Sequence, residues 1–129
     1  MSLDVSPALL AQAENGTVDE ADFIETVRTS LPYAYRVVAG LSTELGSSTA
    51  EFADDNTTPT DQERAQLLRA LASNAIRGSL ERHFGVRLAF MNCHRVAAFR
   101  PGTEQGDAYR EFTSLRAQLL NQTPELRSC

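Results

Sequence analysis

The chain has 129 residues, of which 42% are apolar and 22% are charged. These are ordinary globular values, and the length suits one domain with a core of its own, so the composition excludes a disordered or fibrous chain. No apolar stretch approaches the roughly 20 residues that cross a bilayer. The first residues also lack the basic and then apolar pattern of an export signal. We therefore expect residues 1–129 to form a single cytoplasmic domain with no membrane association.

All twelve basic residues are arginine, and the net charge of −5 is unevenly distributed. Residues 1–60 carry a net charge of −8, whereas residues 61–100 carry a net charge of +4. This asymmetry has a plain explanation, in which the two halves pack together or two copies of the chain associate. The alternative is an anion-binding face on the second half. A nucleic-acid-binding domain usually has a basic total, so nucleic acid is an unlikely partner but is not excluded.

Helix signals dominate the first 46 residues. Ser6 and Pro7 predict the start of a short helix that ends at Asn15-Gly16. Thr17 and Glu20 have the spacing of a capping box, which predicts a second helix over about 18–30. Pro32 begins a third, with Ser30 or Leu31 as its cap, and Gly46 ends it.

Residues 46–59 are small, polar and acidic, which predicts a loop that is partly mobile. Phe52 is the only large apolar residue in this stretch. A lone aromatic of this kind usually fastens a loop to the body of the protein. It can also act as an anchor for a partner.

Thr60 and Glu63 form a second capping box, which predicts one long central helix over about 61–84. On a helical wheel its buried face contains Leu68, Leu71, Ala72, Ala75, Ile76, Ser79, Leu80 and His83. After Gly85 the apolar residues alternate with a period of two, which predicts a pair of strands with a turn near Asn92. A last helix over 107–120 precedes a polar tail at 121–129. The predicted fold is a helix-dominated α+β domain in which three or four helices pack around a small antiparallel strand pair.

Two cysteines and two histidines are the candidates for a reactive or metal site. Cys93 and His94 are neighbours on a predicted strand and point to opposite faces, so a Cys–His dyad requires His83 instead. His83, Cys93, His94 and Cys129 are suitable metal ligands. No short-spaced pair such as C-x-x-C is present, so these remain weak candidates. We expect no catalytic residue, no metal and no cofactor.

Five arginines are candidates for binding an anion or a partner, because they lie within 24 residues at the end of the long helix and on the strands: Arg77, Arg82, Arg87, Arg95 and Arg100. A phosphate-binding surface built from them would be independent of sequence and sensitive to salt. Ion pairs with the acidic N-terminal helices are the plainer interpretation.

Three segments together resemble a family of small cytoplasmic proteins from actinobacteria of the streptomycete type: SLPYA at 30–34, AQLLRALASNAIRGSLERHFGVRLAFMNCHRVAAF at 65–99 and RAQLLNQTPELRSC at 116–129. The resemblance implies a source and a cytoplasmic setting but no particular activity. The segments include Cys93, His94 and Cys129, whereas the loop 46–59 and Met91 depart from the pattern.

Three hypotheses for the function follow. The first is a non-enzymatic interaction or regulatory module, homodimeric, whose surface lies on the strands and the arginines around them. The second is a thiol- or metal-dependent site at Cys93, His94 and His83. The third is a weak nucleic-acid binder that uses the arginines of 77–100.

Overall fold

The computed structural model describes residues 2–92 and 94–122. The described chain is helix-dominated α+β, as predicted, with a small antiparallel sheet. Its elements in chain order are α1 (Pro7–Glu14), α2 (Glu20–Ser30), α3 (Pro32–Gly46), β1 (Phe52–Asp55), α4 (Asp61–Leu71), α5 (Asn74–Phe84), β2 (Arg87–Met91), β3 (Arg95–Phe99), α6 (Asp107–Phe112) and α7 (Leu115–Leu120). No helix in these two ranges is long and apolar enough to span a membrane.

The first three helices begin close to the predicted positions. The Ser6 side chain caps α1 by accepting a hydrogen bond from the backbone of Leu9, as its sequence indicates. The cap of α2 is Asp19 and not Thr17, so the predicted capping box does not form. Asp19 can do this because its carboxylate reaches two free N–H groups in the first turn.

Helix α3 starts at Pro32, and its N-cap residue Leu31 makes no side-chain hydrogen bond to the first turn. A residue from α4 satisfies its first turn instead. Gln66 Oε1 accepts hydrogen bonds from the backbone N–H of Tyr33 at 2.7 Å and of Ala34 at 3.3 Å. This contact fixes α4 against the beginning of α3.

The single helix predicted over 61–84 is wrong, because the chain breaks between α4 and α5. Ala72 ends α4, and Ser73 adopts an extended conformation and caps α5 by accepting a hydrogen bond from the N–H of Ile76. Because of the break, the buried faces of α4 and α5 do not lie on one continuous helical wheel. The predicted face is correct for Ile76, Ser79 and Leu80 of α5. In α4 it is wrong, because Leu68 is exposed and Ala70 is fully buried.

The predicted strand pair is present as the hairpin of β2 and β3, with Met91 opposite Arg95. Asn92 has a φ of +54°, a conformation that asparagine tolerates better than most residues and that the sequence indicates for this turn. A third strand, β1, was not predicted. It lies in the stretch 46–59 that was expected to be a loop, and it pairs antiparallel with β3, so the sheet order is β1-β3-β2.

The sheet separates two apolar layers. One face packs on α2–α5, which supply most of the core. Phe99 is the centre of the other layer, which α6 and α7 cover with Phe112 and Ala117. These two short helices replace the single one predicted over 107–120, because Ser114 caps α7 and separates it from α6. Of the predicted polar tail, residues 123–129 lie outside the described part of the chain.

Candidate functional site

Each of the five candidate arginines has a hydrogen-bond or ion-pair partner within the chain. Arg77 donates to the carbonyl oxygen of Leu71 at 2.8 Å and to Asn74 Oδ1 at 2.6 Å. Arg82 Nε donates to Glu20 Oε1 at 2.7 Å, across to α2. The Arg82 hydrogen bond lowers the pKa of the Glu20 carboxyl, which keeps this exposed pair ionised to lower pH.

Arg87 has the loosest contacts of the five. Its Nε lies 3.7 Å from Glu81 Oε2 and 3.9 Å from Glu104 Oε1, and its side chain is half-exposed. Ion pairs of this kind stabilise a protein by less than about 1 kcal/mol. Arg87 is therefore the arginine of this group that a partner could recruit most easily.

Arg100 acts as a structural clamp on the segment between α3 and β1. Its guanidinium donates to the carbonyl oxygens of Leu45 at 2.6 Å and Ala50 at 2.7 Å, and also to that of Ser48. The fork of an arginine suits several acceptors at once. These bonds hold the end of α3 and the entry to β1 together.

Arg95 links three elements on the α6–α7 side of the sheet. It donates to Asp54 Oδ2 of β1 at 3.0 Å and to Asn121 Oδ1 after α7 at 3.0 Å. Its guanidinium also lies 5.0 Å from the ring centroid of Phe112. The ion pairs Arg95–Asp54 and Arg82–Glu20 both join the basic second half of the chain to the acidic first half.

The two histidines lie in different environments. His83 is exposed and meets the ring of Phe84 edge-on at 4.7 Å, so its predicted place on the buried face is wrong. His94 is the buried one, with 6% of its surface exposed. Its Nδ1 lies 2.8 Å from the Asn92 carbonyl oxygen and its Nε2 lies 2.9 Å from Asn56 Oδ1. Both ring nitrogens thus have a hydrogen-bond partner. The Nδ1 contact lies within the hairpin turn, and the Nε2 contact joins this turn to the segment after β1.

The second hypothesis is a thiol- or metal-dependent site, and its candidate thiols are Cys93 and Cys129. Both residues lie outside the described part of the chain. In residues 2–92 and 94–122, no group of three or more histidine, cysteine, aspartate or glutamate side chains is arranged to hold a metal ion. Of the candidate ligands, the structure describes only His83 and His94.

The sheet ends in an open edge at β1, which the sequence did not reveal. The N–H of Arg100 donates to the carbonyl oxygen of Glu51, and hydrogen bonding in an antiparallel ladder alternates along the strand. The N–H groups of Ala53 and Asp55 therefore face β3, whereas those of Phe52 and Asp54 face away from it. Among the described residues, neither of the outward N–H groups has a hydrogen-bond partner.

The opposite edge, at β2, differs because it is partly closed. Leu88 N–H points away from β3 and donates to Glu81 Oε2 at 2.8 Å. A side chain that binds an outward N–H group hinders the pairing of another strand at that point. Among the described residues, Phe52 and Asp54 of β1 have no such partner, so β1 is the edge whose outward N–H groups an added strand can reach.

A groove runs between α3 and the open edge of β1. Its volume is about 530 Å³, and it is lined by Tyr33, Arg36, Val37, Gly40, Leu41, Glu44 and residues 54–57. Arg36 lies over the Tyr33 ring at 5.6 Å from its centroid. Burial raises the pKa of Tyr33, the nearby carboxylates of Asp55 and Glu63 raise it further, and the charge of Arg36 lowers it.

A second groove of about 310 Å³ lies on the other face of the sheet, beside the same edge. It is lined by Phe52, Arg95, Ala108, Glu111, Phe112, Arg116, Ala117, Leu120 and Asn121. The lining includes residues of β1 and β3 but none of β2, so this groove also borders the β1 side. The open edge thus lies between two grooves, one on each face of the sheet.

One sequence signal points to the edge at β1. Phe52 is a lone aromatic in an acidic stretch, which predicts either that it fastens a loop or that it anchors a partner. In the structure its ring stacks on Phe99 at 5.1 Å and also lines the second groove. The fastening role is therefore observed.

Comparison with known proteins gives one result at the level of a family. No curated protein and no solved structure matches the chain. A family model described as "NucS shadow ORF" matches residues 1–129. The match covers the whole length, so the chain belongs to the NucS shadow ORF family.

Proposed function

We propose that this protein is a non-enzymatic interaction module that binds an extended segment of a partner protein along β1. The segment adds to the sheet as a fourth strand, an established way of recognising peptides through their backbone. The observation that carries the proposal is the open edge of β1, with outward N–H groups at Phe52 and Asp54, between two grooves.

The charge of β1 favours a partner segment over a second copy of the chain. Residues 51–55 contain Glu51, Asp54 and Asp55 and no basic residue. Two copies paired through β1 would bring six carboxylates to one interface, and like charges on adjacent strands are destabilising. A homodimer through this edge is the competing arrangement, and the experiments below separate the two.

A nucleic-acid-binding function through the arginines of 77–100 is the second candidate, because residues 61–100 carry a net charge of +4. The seven glycines of this chain include no G-x-x-G spacing of the kind that clamps a nucleic-acid backbone. Since the five arginines also have internal partners, we expect no steeply salt-dependent binding to RNA or duplex DNA.

We also propose an actinobacterial source and a cytoplasmic location, on the resemblance of the segments 30–34, 65–99 and 116–129. Arginine codons are rich in G and C, so the twelve arginines fit a genome rich in these bases. The partner would then be another protein of that compartment. The interaction itself depends on the edge and its grooves and not on the source.

Selection from a random peptide library displayed on phage tests the proposed function. We expect peptides that bind the immobilised protein and compete with one another for one site. Enriched peptides are then synthesised with N-methyl groups on either the odd or the even residues. In a strand, alternate N–H groups point to opposite edges. One N-methylated set should therefore lose binding at least about tenfold, while the other retains it.

Two results would count against this function. If both N-methylated sets bind equally well, recognition does not use a strand. If no peptide is enriched and sedimentation shows self-association that shields β1, the edge belongs to a homodimer.

A further inference from the structure

We infer that the segment bound along β1 alternates basic and apolar side chains, with the basic ones facing α3 and the apolar ones facing α6 and α7. This inference rests on the proposed function and adds the chemistry of the partner. It follows from the different linings of the two grooves.

Strand geometry assigns each side chain of an added segment to one groove. Directly opposed residues on neighbouring strands point to the same face of a sheet. A residue opposite Ala53 or Asp55 therefore faces α3, because Ala53 belongs to the layer that α3 covers. A residue opposite Phe52 or Asp54 faces α6 and α7, because Phe52 packs with Phe99 and Tyr109 on that side.

The groove toward α3 suits a long cationic side chain. Its walls combine an apolar floor at Val37 and Leu41 with carboxylates at Glu44 and Asp55. Asp54 also lines it but pairs with Arg95. Lysine or arginine can lay its aliphatic stem on such a floor and place its charge at the carboxylates.

Arg36 is the basic side chain that borders this groove, and its guanidinium lies over the Tyr33 ring. The two acids at Glu44 and Asp55 outnumber it, and Glu63 adds a negative charge near Tyr33. The residues that line the groove therefore carry a net negative charge. An acidic side chain at this position would be repelled.

Gly40 gives this groove its width. It lies within α3, and a Cβ placed on it would meet no atom within 4 Å. Most residues at this point of the helix would extend into the groove and narrow it. The absence of a side chain leaves room for one from the partner.

The groove toward α6 and α7 suits an apolar side chain. Five of its nine lining residues are apolar: Phe52, Ala108, Phe112, Ala117 and Leu120. Leu120 is 66% exposed, so an apolar side chain of the partner would remove it from water. The charged residues at its rim are already paired, as Glu111 is with Arg116 at 2.5 Å.

Short synthetic peptides that alternate valine with arginine, glutamate or serine test the inference. Binding is measured by fluorescence anisotropy at low and at moderate salt. We expect the valine–arginine peptide to bind at least about tenfold more tightly than the valine–glutamate peptide, with valine–serine between them. Added salt should weaken the preference, since it screens exposed charges.

Variants of the protein test whether the preference for arginine arises in the groove toward α3. Glu44→Gln combined with Asp55→Asn should weaken binding of the valine–arginine peptide by about threefold to tenfold and leave valine–serine unchanged. Glu14→Gln is the matched control, because Glu14 is an exposed acid outside both grooves. Gly40→Leu should weaken the binding of both peptides, because the leucine side chain fills the groove. Thr43→Leu, on the same helix, should leave the binding of both peptides unchanged.

The outcomes separate the inference from the function on which it rests. If N-methylation of alternate residues abolishes binding but arginine confers no advantage over glutamate, the inference fails and the strand-binding function stands. If none of the peptides binds with this alternating sensitivity while the protein remains folded by circular dichroism, both fail.

Discussion

Replacing Phe99 with alanine is expected to lower the free energy of unfolding by about 3–5 kcal/mol, the largest loss that we predict for one substitution. Phe99 is fully buried on β3. Its ring centroid lies 5.1 Å from that of Phe52, 5.1 Å from that of Tyr109 and 5.8 Å from that of Phe112. The substitution therefore opens a cavity and releases β1 and α6 together. Urea denaturation followed by circular dichroism measures the loss.

Phe90→Ala is the matched control, because Phe90 lies on β2 and is only partly buried. We expect its loss to be clearly smaller. Equal losses for the two variants, or a loss below about 1 kcal/mol for Phe99→Ala, would contradict the position given to the ring.

Replacing Arg100 with alanine is expected to cost about 2–3 kcal/mol and to loosen the entry to β1. The guanidinium supplies hydrogen bonds to the carbonyl oxygens of Leu45, Ser48 and Ala50, and bonds from a charged donor contribute more than neutral ones. With alanine at this position, the three carbonyl oxygens lose their charged donor and can only be hydrated by water. Chemical denaturation gives the loss, and hydrogen exchange shows whether it is concentrated at β1.

Two controls sharpen this test. Arg100→Lys keeps the charge but not the fork, so we expect an intermediate loss. Arg87→Ala removes an arginine with only long, half-exposed ion pairs, and we expect a loss below about 1 kcal/mol. If Arg87→Ala costs as much as Arg100→Ala, the clamp is not what holds the segment.

The helices near the N-terminus were predictable because their signals are local. Ser6 with Pro7, Pro32 and Gly46 act through the conformation or hydrogen bonding of adjacent residues, so α1 and α3 lie where the sequence places them. The break between α4 and α5 also has a local cause in the cap at Ser73. It was missed because the apolar pattern continues across it without a glycine or a proline.

The missed break does not explain the wrong prediction for His83, because Ile76, Ser79 and Leu80 of α5 are buried on the face that the helical wheel predicts. His83 follows them on that face but lies in the last turn of α5, where its imidazole is exposed. The buried imidazole is that of His94, whose partner Asn56 is distant in sequence and could not be inferred from spacing.

The third strand had no local signal. The residues of β1 are Phe-Ala-Asp-Asp, and aspartate is depleted in strands. The strand exists because β3 pairs with it and because Arg100 and Phe99 fix its beginning. Long-range contacts of this kind are invisible to periodicity. The same holds for Arg82, Arg95 and Arg100, whose hydrogen-bond partners include groups at least 41 residues away in the sequence.

Amide hydrogen exchange of the free protein, resolved by residue, tests the open edge most directly. We predict slow exchange at Ala53 and Asp55, whose N–H groups bond to β3, and fast exchange at Phe52 and Asp54. Equal protection of all four amides in dilute protein would contradict the account, because the edge would then already be occupied. Protection of Phe52 and Asp54 that rises with protein concentration would show a second copy in the place assigned here to a partner.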